Sequence, residues 1–217
     1  MQKNIIVLVG PTGAGKSHFI DILAGTNWAN KKMAQRAVGV RDKEVALSLE
    51  GSSTSVVLVD APGFDDATRP DSEVVRDVVS WLQAQYGNRP HILGVLYFNS
   101  IKENRAVGRP QDGLHDFWLM CGLSSRENGE RVVFVTTHWD VLGDKGKGDI
   151  RRELLQTVVS GVGGIVTDFE GSKASAEEIA RGFLRQRPLQ LNIDTTRVKP
   201  QKLAKPPKVK RFMCSVQ

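Results

Sequence analysis

Eight residues near the start, "GPTGAGKS" (10–17), put three glycines, a lysine and a hydroxyl at a spacing suited to holding a polyphosphate. The string fits G-x-x-x-x-G-K-[ST]. Gly10, Gly13 and Gly15 permit a tight path that turns successive backbone N–H groups toward one anion, with Pro11, Thr12 and Ala14 completing the loop. Lys16 is expected to bridge the β- and γ-phosphates and Ser17 to coordinate Mg²⁺. His18 follows on the first turn of a helix whose positive end faces the same anion. A glycine-rich turn that binds nothing is the bland alternative, and the flanks speak against it. "NIIVLVG" (4–10) is an apolar run ending in glycine, as in a strand buried on both faces. "KSHFIDILAG" (16–25) has Phe19, Ile20 and Leu23 at helical spacing and stops at Gly25.

Two later stretches extend this chemistry. "VVLVDAPGFDD" (56–66) ends an apolar run in Asp60 and breaks on Pro62 and Gly63. An acid at such a strand end is placed to hold Mg²⁺ through a bound water, and the Gly63 N–H of D-x-x-G can meet a γ-phosphate oxygen. Alone this would be a plain turn; it gains meaning from the phosphate loop before it. Lys16 and Gly63 are the residues expected to take part in catalysis. "VFVTTHWD" (133–140) closes another strand with T-x-x-D, from Thr137 to Asp140. A carboxylate there can accept hydrogen bonds from guanine N1–H and the 2-amino group. Adenine offers no such donors on that edge, so a desolvated acid penalises ATP. His138 stands where a lysine usually packs along the base plane. The competing reading is a loop acid after a strand.

The elements that must carry these residues alternate. "VVLVD" (56–60), "ILGVLYF" (92–98) and "RVVFVTT" (131–137) are apolar strands, and "GGIVTDF" (163–169) is a weaker one. Residues 71–87 begin with Asp71 and Ser72 and carry Val74, Val75, Val78, Val79 and Leu82 on one helical face. Helical patterns also cover 110–121, 149–160 and about 175–185. Strands alternating with helices of this length predict an α/β chain whose mainly parallel sheet is covered on both sides. Periodicity fades after Pro188. The expectation is one domain over 1–188 and a disordered Lys/Pro-rich tail over 189–217.

Composition narrows the classes. With 217 residues, 40% hydrophobic and 25% charged, the chain matches an ordinary globular protein, and no apolar run approaches the roughly 18 residues of a membrane span. The start lacks the apolar stretch of a secretory signal, so the cytoplasm is expected. Cys121 and Cys214 suggest neither a disulfide framework nor a zinc site. The net charge is +6, yet seven basic residues and no acidic ones fall between Arg197 and Gln217, which leaves −1 for everything before. A nucleic-acid-binding body is therefore not expected. The last four residues, "CSVQ", fit C-a-a-X. Behind a polybasic stretch, a prenylated Cys214 would hold the protein at an anionic membrane surface.

Taken in order, "GPTGAGKSHFID", "VVLVDAPGFDD", "ILGVLYFNSIKENR" and "LMCGLSSRENGERVVFVTTHWD" resemble the septin-like, immunity-associated-type GTPases, especially the G-domain proteins of fungi, over roughly residues 4 to 185. The resemblance implies a three-layer α/β/α Ras-like G domain, GTP or GDP and Mg²⁺ as ligands, and nucleotide-dependent self-association. It puts the phosphate-loop roles on Gly15, Lys16 and Ser17, the metal and γ-phosphate roles on Asp60 and Gly63, and the base role on Asp140. A last guanine loop would lie near Ser172 and Lys173. Two departures stand out. The family's first switch carries a threonine for the Mg²⁺ shell, whereas residues 27 to 52 contain none and the alignment puts Asp42 there. Phe64 follows Gly63, where many GTPases have a glutamine that orients water. Slow hydrolysis to GDP in a switch protein is the expected function. Its rivals are a nucleotide-dependent assembly module with negligible turnover and an ATP-dependent small-molecule kinase.

Overall fold

The computed structural model describes residues 3–26, 39–49, 51–64, 70–102, 110–121, 129–160 and 163–197. Five strands run parallel to one another, and those in the middle of the sheet are apolar on both faces. β1 (Asn4–Val9) pairs in parallel with β3 (Ser52–Asp60) on one side and β4 (His91–Ser100) on the other. β5 (Val132–Thr137) and β6 (Ile165–Asp168) continue the parallel sheet beyond β4. β2 (Arg41–Leu49) closes the other edge antiparallel to β3, giving the order β2-β3-β1-β4-β5-β6.

The period of two along each strand divides the core. Ile5, Val7 and Val9 face one layer, formed by α2 (Asp71–Tyr86), α3 (Pro110–Met120) and α4 (Lys145–Ser160). Ile6 and Leu8 face the other, formed by α1 (Lys16–Ala24) and α5 (Lys173–Leu184). The valine face read from residues 74–82 is buried as expected, and Trp118 and Cys121 are core residues. Burial pushes the Cys121 thiol pKa well up, which leaves it an inert packing group. The expected three-layer α/β/α architecture is thus the one observed, and among the described residues no helix is long and apolar enough to cross a membrane.

The domain runs past the expected boundary at 188. β7 (Leu189–Gln190) pairs antiparallel with the start of β4, where β5 has not yet begun. Leu191 and Ile193 are then buried in the α2/α3 layer, and the backbone bonds Asn192 N–H to Cys121 O and Asp194 N–H to Met120 O fasten the strap. Two buried side chains outweigh the Pro188 break, so 189–197 is folded. The rest of the expected tail, including Cys214, lies outside the described residues. Leu191→Ala should lower the free energy of unfolding by about 2–4 kcal/mol in urea titration with an unchanged slope. A loss below about 1 kcal/mol would mean that the strap is not part of the core.

Candidate functional site

All of the predicted site segments leave the same edge of the sheet, the carboxyl ends of β1, β3 and β5, where open α/β sheets bind ligands. β1 leads into the phosphate loop. Gly10 has φ 130°, and a Cβ there would lie 2.4 Å from the Phe98 carbonyl oxygen, so the loop can root against β4 only without a side chain. Gly13 and Gly15 also take left-handed conformations. Gly15 is the N-cap of α1, which has no side-chain cap and no acid in its first turn. By contrast, α5 is capped by the Ser172 hydroxyl accepting from Ser175 N–H, and α2 carries Asp71 and Glu73 in its first turn. The positive N-terminal end of α1 thus carries no side-chain cap and no acid to compete with an anion.

Lys16 is 4% exposed, and its ammonium donates to the carbonyls of Gly10 (2.7 Å) and Pro11 (2.9 Å), so the loop wraps round the cation. Ser17 Oγ donates to Asp60 Oδ2 at 3.2 Å. Asp60 is 1% exposed. Two oxygen donors converging in this way suit a hard cation such as Mg²⁺. The third group at that carboxylate was not anticipated. Arg41 Nη2 lies 3.4 Å from the same Oδ2.

Sheet register accounts for this. Arg41 stands opposite Asp60 across the β2–β3 ladder, and Asp42 stands opposite Val59. Arg41 therefore shares the α1 side of the sheet with Leu58 and Asp60, while the exposed Asp42 lies on the α2 side. Burial raises the Tyr86 pKa, and the negative charges of Asp42 and Glu44 raise it further from that side. The alignment that set Asp42 in the metal shell is thus corrected: Asp42 faces away and the guanidinium faces in.

The D-x-x-G segment does not leave the sheet freely. Ala61 N–H donates to Leu8 O and Phe64 N–H to Gly10 O, both at 3.1 Å, so β1–β3 pairing continues into the loops. Gly63 is packed on Thr12; a Cβ would fall 1.9 Å from Thr12 Oγ1 and 2.7 Å from its backbone nitrogen. Phe64 is 3% exposed, with its ring 6.2 Å from Tyr97 in the core layer, so it points away from the site. The absent glutamine is thereby a packing choice as well as a chemical one.

Thr137 joins the third segment to the first. Its hydroxyl donates to Ala14 O at 2.9 Å, and Gly15 lies against its methyl. His138 has φ 65°, uncommon for a residue with a Cβ, and its Nδ1 is 3.0 Å from Thr137 Oγ1. This reversal sends Trp139 back to the strand, where Nε1 donates to Thr136 Oγ1 at 3.0 Å. The Thr136 hydroxyl in turn meets Asp168 Oδ1 at 2.5 Å, and Arg152 Nε forks onto both Asp168 oxygens at 2.8 and 2.9 Å. Trp139 and the Arg152–Asp168 pair brace the loop, and no local motif marked that pair. Asp140 occupies the exposed turn that follows.

Of the other predicted residues, His18 is exposed, with its ring 6.0 Å from Phe169 beyond β6. Ser172 and Lys173 open α5, tied to β5 through the bond from Phe169 N–H to Thr136 O at 2.8 Å. A groove of about 390 Å³ between β6 and α5, lined among others by Val133, Ile165, Glu178 and Phe183, lies apart from Lys16 and Asp60.

Solved structures similar to this chain include Toc33 from Arabidopsis thaliana in complex with GDP and Mg²⁺, at 17% identity and TM-score 0.62 over 89% of each chain. A dimerization-deficient mutant of Toc33 aligns at 14% identity and TM-score 0.65, over 89% of this chain and 88% of that one. The bacterial selenocysteine-specific elongation factor EF-Sec aligns at 14% identity and TM-score 0.57, over 85% of this chain. The chain spans only 28% of the length of that factor. At these identities the likeness establishes the G-domain fold. Neither a protein-family model nor a curated protein matches the chain. Gly63→Ala should destabilise the fold by about 1–3 kcal/mol, because Thr12 backbone must move. Gly143→Ala, with open space round it, serves as control; equal melting of the two variants would contradict the Gly63–Thr12 contact.

Proposed function

We propose that this chain is a guanine-nucleotide-binding switch that takes GTP or GDP at the phosphate loop and hydrolyses GTP slowly. The observation that carries the reading is one network: Lys16 held in its loop, Ser17 on Asp60, Gly63 on Thr12, and Thr137 on Ala14. It supports the reading by joining the residues proposed for phosphate and metal to Thr137, three residues before Asp140, although they come from three distant stretches. Ser17 and Asp60 are the residues that would hold Mg²⁺, which when bound supplies positive charge to the phosphates. Lys16 and the α1 N-terminus bind and orient the phosphates, and the Gly63 N–H senses the γ-phosphate. Asp140 selects guanine, with His138 beside the base. Membership of the septin-like, immunity-associated-type GTPases remains part of this proposal, supported by the order of the motifs.

A second reading, a nucleotide-dependent assembly module with little turnover, is favoured by Phe64, whose burial removes it from water positioning. Toc33, which has been solved as a dimerization-deficient mutant, makes a nucleotide-dependent homodimer the assembly to test. The polybasic C-terminus with Cys214 belongs to the same proposal: a cytoplasmic protein brought to anionic membranes by a prenyl group.

Binding of GTP, GDP and ATP to the purified chain, followed by phosphate release, separates these readings. Lys16→Ala should lower GTP affinity about 10- to 100-fold, and Asp140→Ala should narrow the preference for GTP over ATP by a similar factor. Tighter binding of ATP than GTP by the wild type would sink the guanine assignment in favour of a kinase. GTP binding without release at high protein concentration would select the assembly module. In a eukaryotic cell, Cys214→Ser should move the protein from membrane to soluble fractions; persistence on membranes would refute prenylation.

A further inference from the structure

Asp60, the acid expected to serve a divalent cation, already has a permanent cation at the oxygen that Ser17 also contacts. Arg41 Nη2 lies 3.4 Å and Ser17 Oγ 3.2 Å from Asp60 Oδ2. The arginine is anchored by strand pairing, since Arg41 and Asp60 are register partners on the α1 side of the sheet. Its side chain is 17% exposed against 1% for Asp60, so the pair sits at the site's mouth with the carboxylate inside. A guanidinium keeps its charge at all working pH values and suits both carboxylate and phosphate oxygens.

We infer that Arg41 is a built-in cation of the nucleotide site, standing at Asp60 for part of the charge that Mg²⁺ supplies in G domains. The inference rests on the nucleotide-binding reading above and adds to it a weak dependence on Mg²⁺. A polyphosphate brought next to a buried carboxylate meets like charge, and a cation on that carboxylate removes the repulsion. Arg41 does this without metal. A divalent cation entering beside it must share Asp60 with a like charge, which lowers the metal's affinity. Removing the guanidinium therefore acts twice: nucleotide binding weakens without Mg²⁺, and Mg²⁺ restores it at lower concentration. If Arg41 served only to neutralise Asp60 for folding, its loss would reduce stability and leave the Mg²⁺ dependence unchanged.

The test is the affinity of the full chain for fluorescent GDP in excess Mg²⁺ and in excess EDTA. For the wild type the two affinities should differ by less than about tenfold, equivalent to about 1.4 kcal/mol. In Arg41→Ala the difference should reach about 100-fold, with the half-effective Mg²⁺ concentration lowered. Arg41→Gln keeps the stem and a donor for Asp60, carries the same expectation, and serves if the alanine variant does not fold. Arg41→Lys should restore wild-type behaviour, and Lys43→Ala, which removes the same charge one pleat along the strand, should not alter it. Equal Mg²⁺ dependence in the wild type and Arg41→Gln, with both binding GDP, would overturn the role of Arg41 and leave the nucleotide site standing. Failure of the wild type to bind GDP in either condition would overturn both.

Discussion

Parallel pairing of β1 with β3 does not end where the strands end, and this continuity governs the site. Leu8 and Gly10 accept hydrogen bonds from Ala61 and Phe64, so the phosphate loop and the D-x-x-G segment grow out of the sheet as a joined pair. Gly63 closes the remaining gap against Thr12. Neither loop can shift far without breaking backbone hydrogen bonds that have no water to replace them at this depth. The same ladder fixes how far Asp60 stands from Ser17. Geometry that a catalytic or switching site requires is thus supplied by the sheet itself, and the helices only cover it.

The charges follow from that frame. Lys16 and Asp60 are both nearly excluded from solvent, which a protein tolerates where each charge is met by opposite charge or by oriented dipoles. Lys16 is met by two carbonyls of its own loop, and Asp60 by a hydroxyl and a guanidinium. An anion at the loop would exchange the two carbonyls on Lys16 for its own oxygens, while Asp60 keeps its hydroxyl and guanidinium partners. The loop after β5 differs in kind. Thr136, Trp139, Asp168 and Arg152 tie it into β5, β6 and α4, so it is braced as a fixed template.

Much of this was legible in local sequence. The loop over 10–17, Asp60, Gly63 and Thr137 stand out because the chemistry proposed for them needs fixed spacings, and the central strands because burial on both faces leaves unbroken apolar runs. What escaped depends on partners far along the chain. β2 reads as a charged segment, "RDKEVALSL", since an edge strand with one exposed face dilutes its apolar alternation; only its register with β3 decides that Arg41, and not Asp42, meets Asp60. The strap at Leu191 and Ile193 is too short to show periodicity after Pro188. The Arg152–Asp168 pair joins a helix to the next strand without a motif. Phe64 was noticed as a missing glutamine, and its place in the core emerges from packing against Tyr97.

Guanine-nucleotide binding at the phosphate loop is the claim on which the functional proposals depend, and amide NMR during a GDP titration reaches it most directly. Binding there predicts shifts concentrated in Gly10–Ser17, in Asp60–Gly63 and in Thr137–Asp140, with ADP producing much weaker changes at equal concentration. Shifts confined to other surfaces, or identical responses to GDP and ADP, would contradict it.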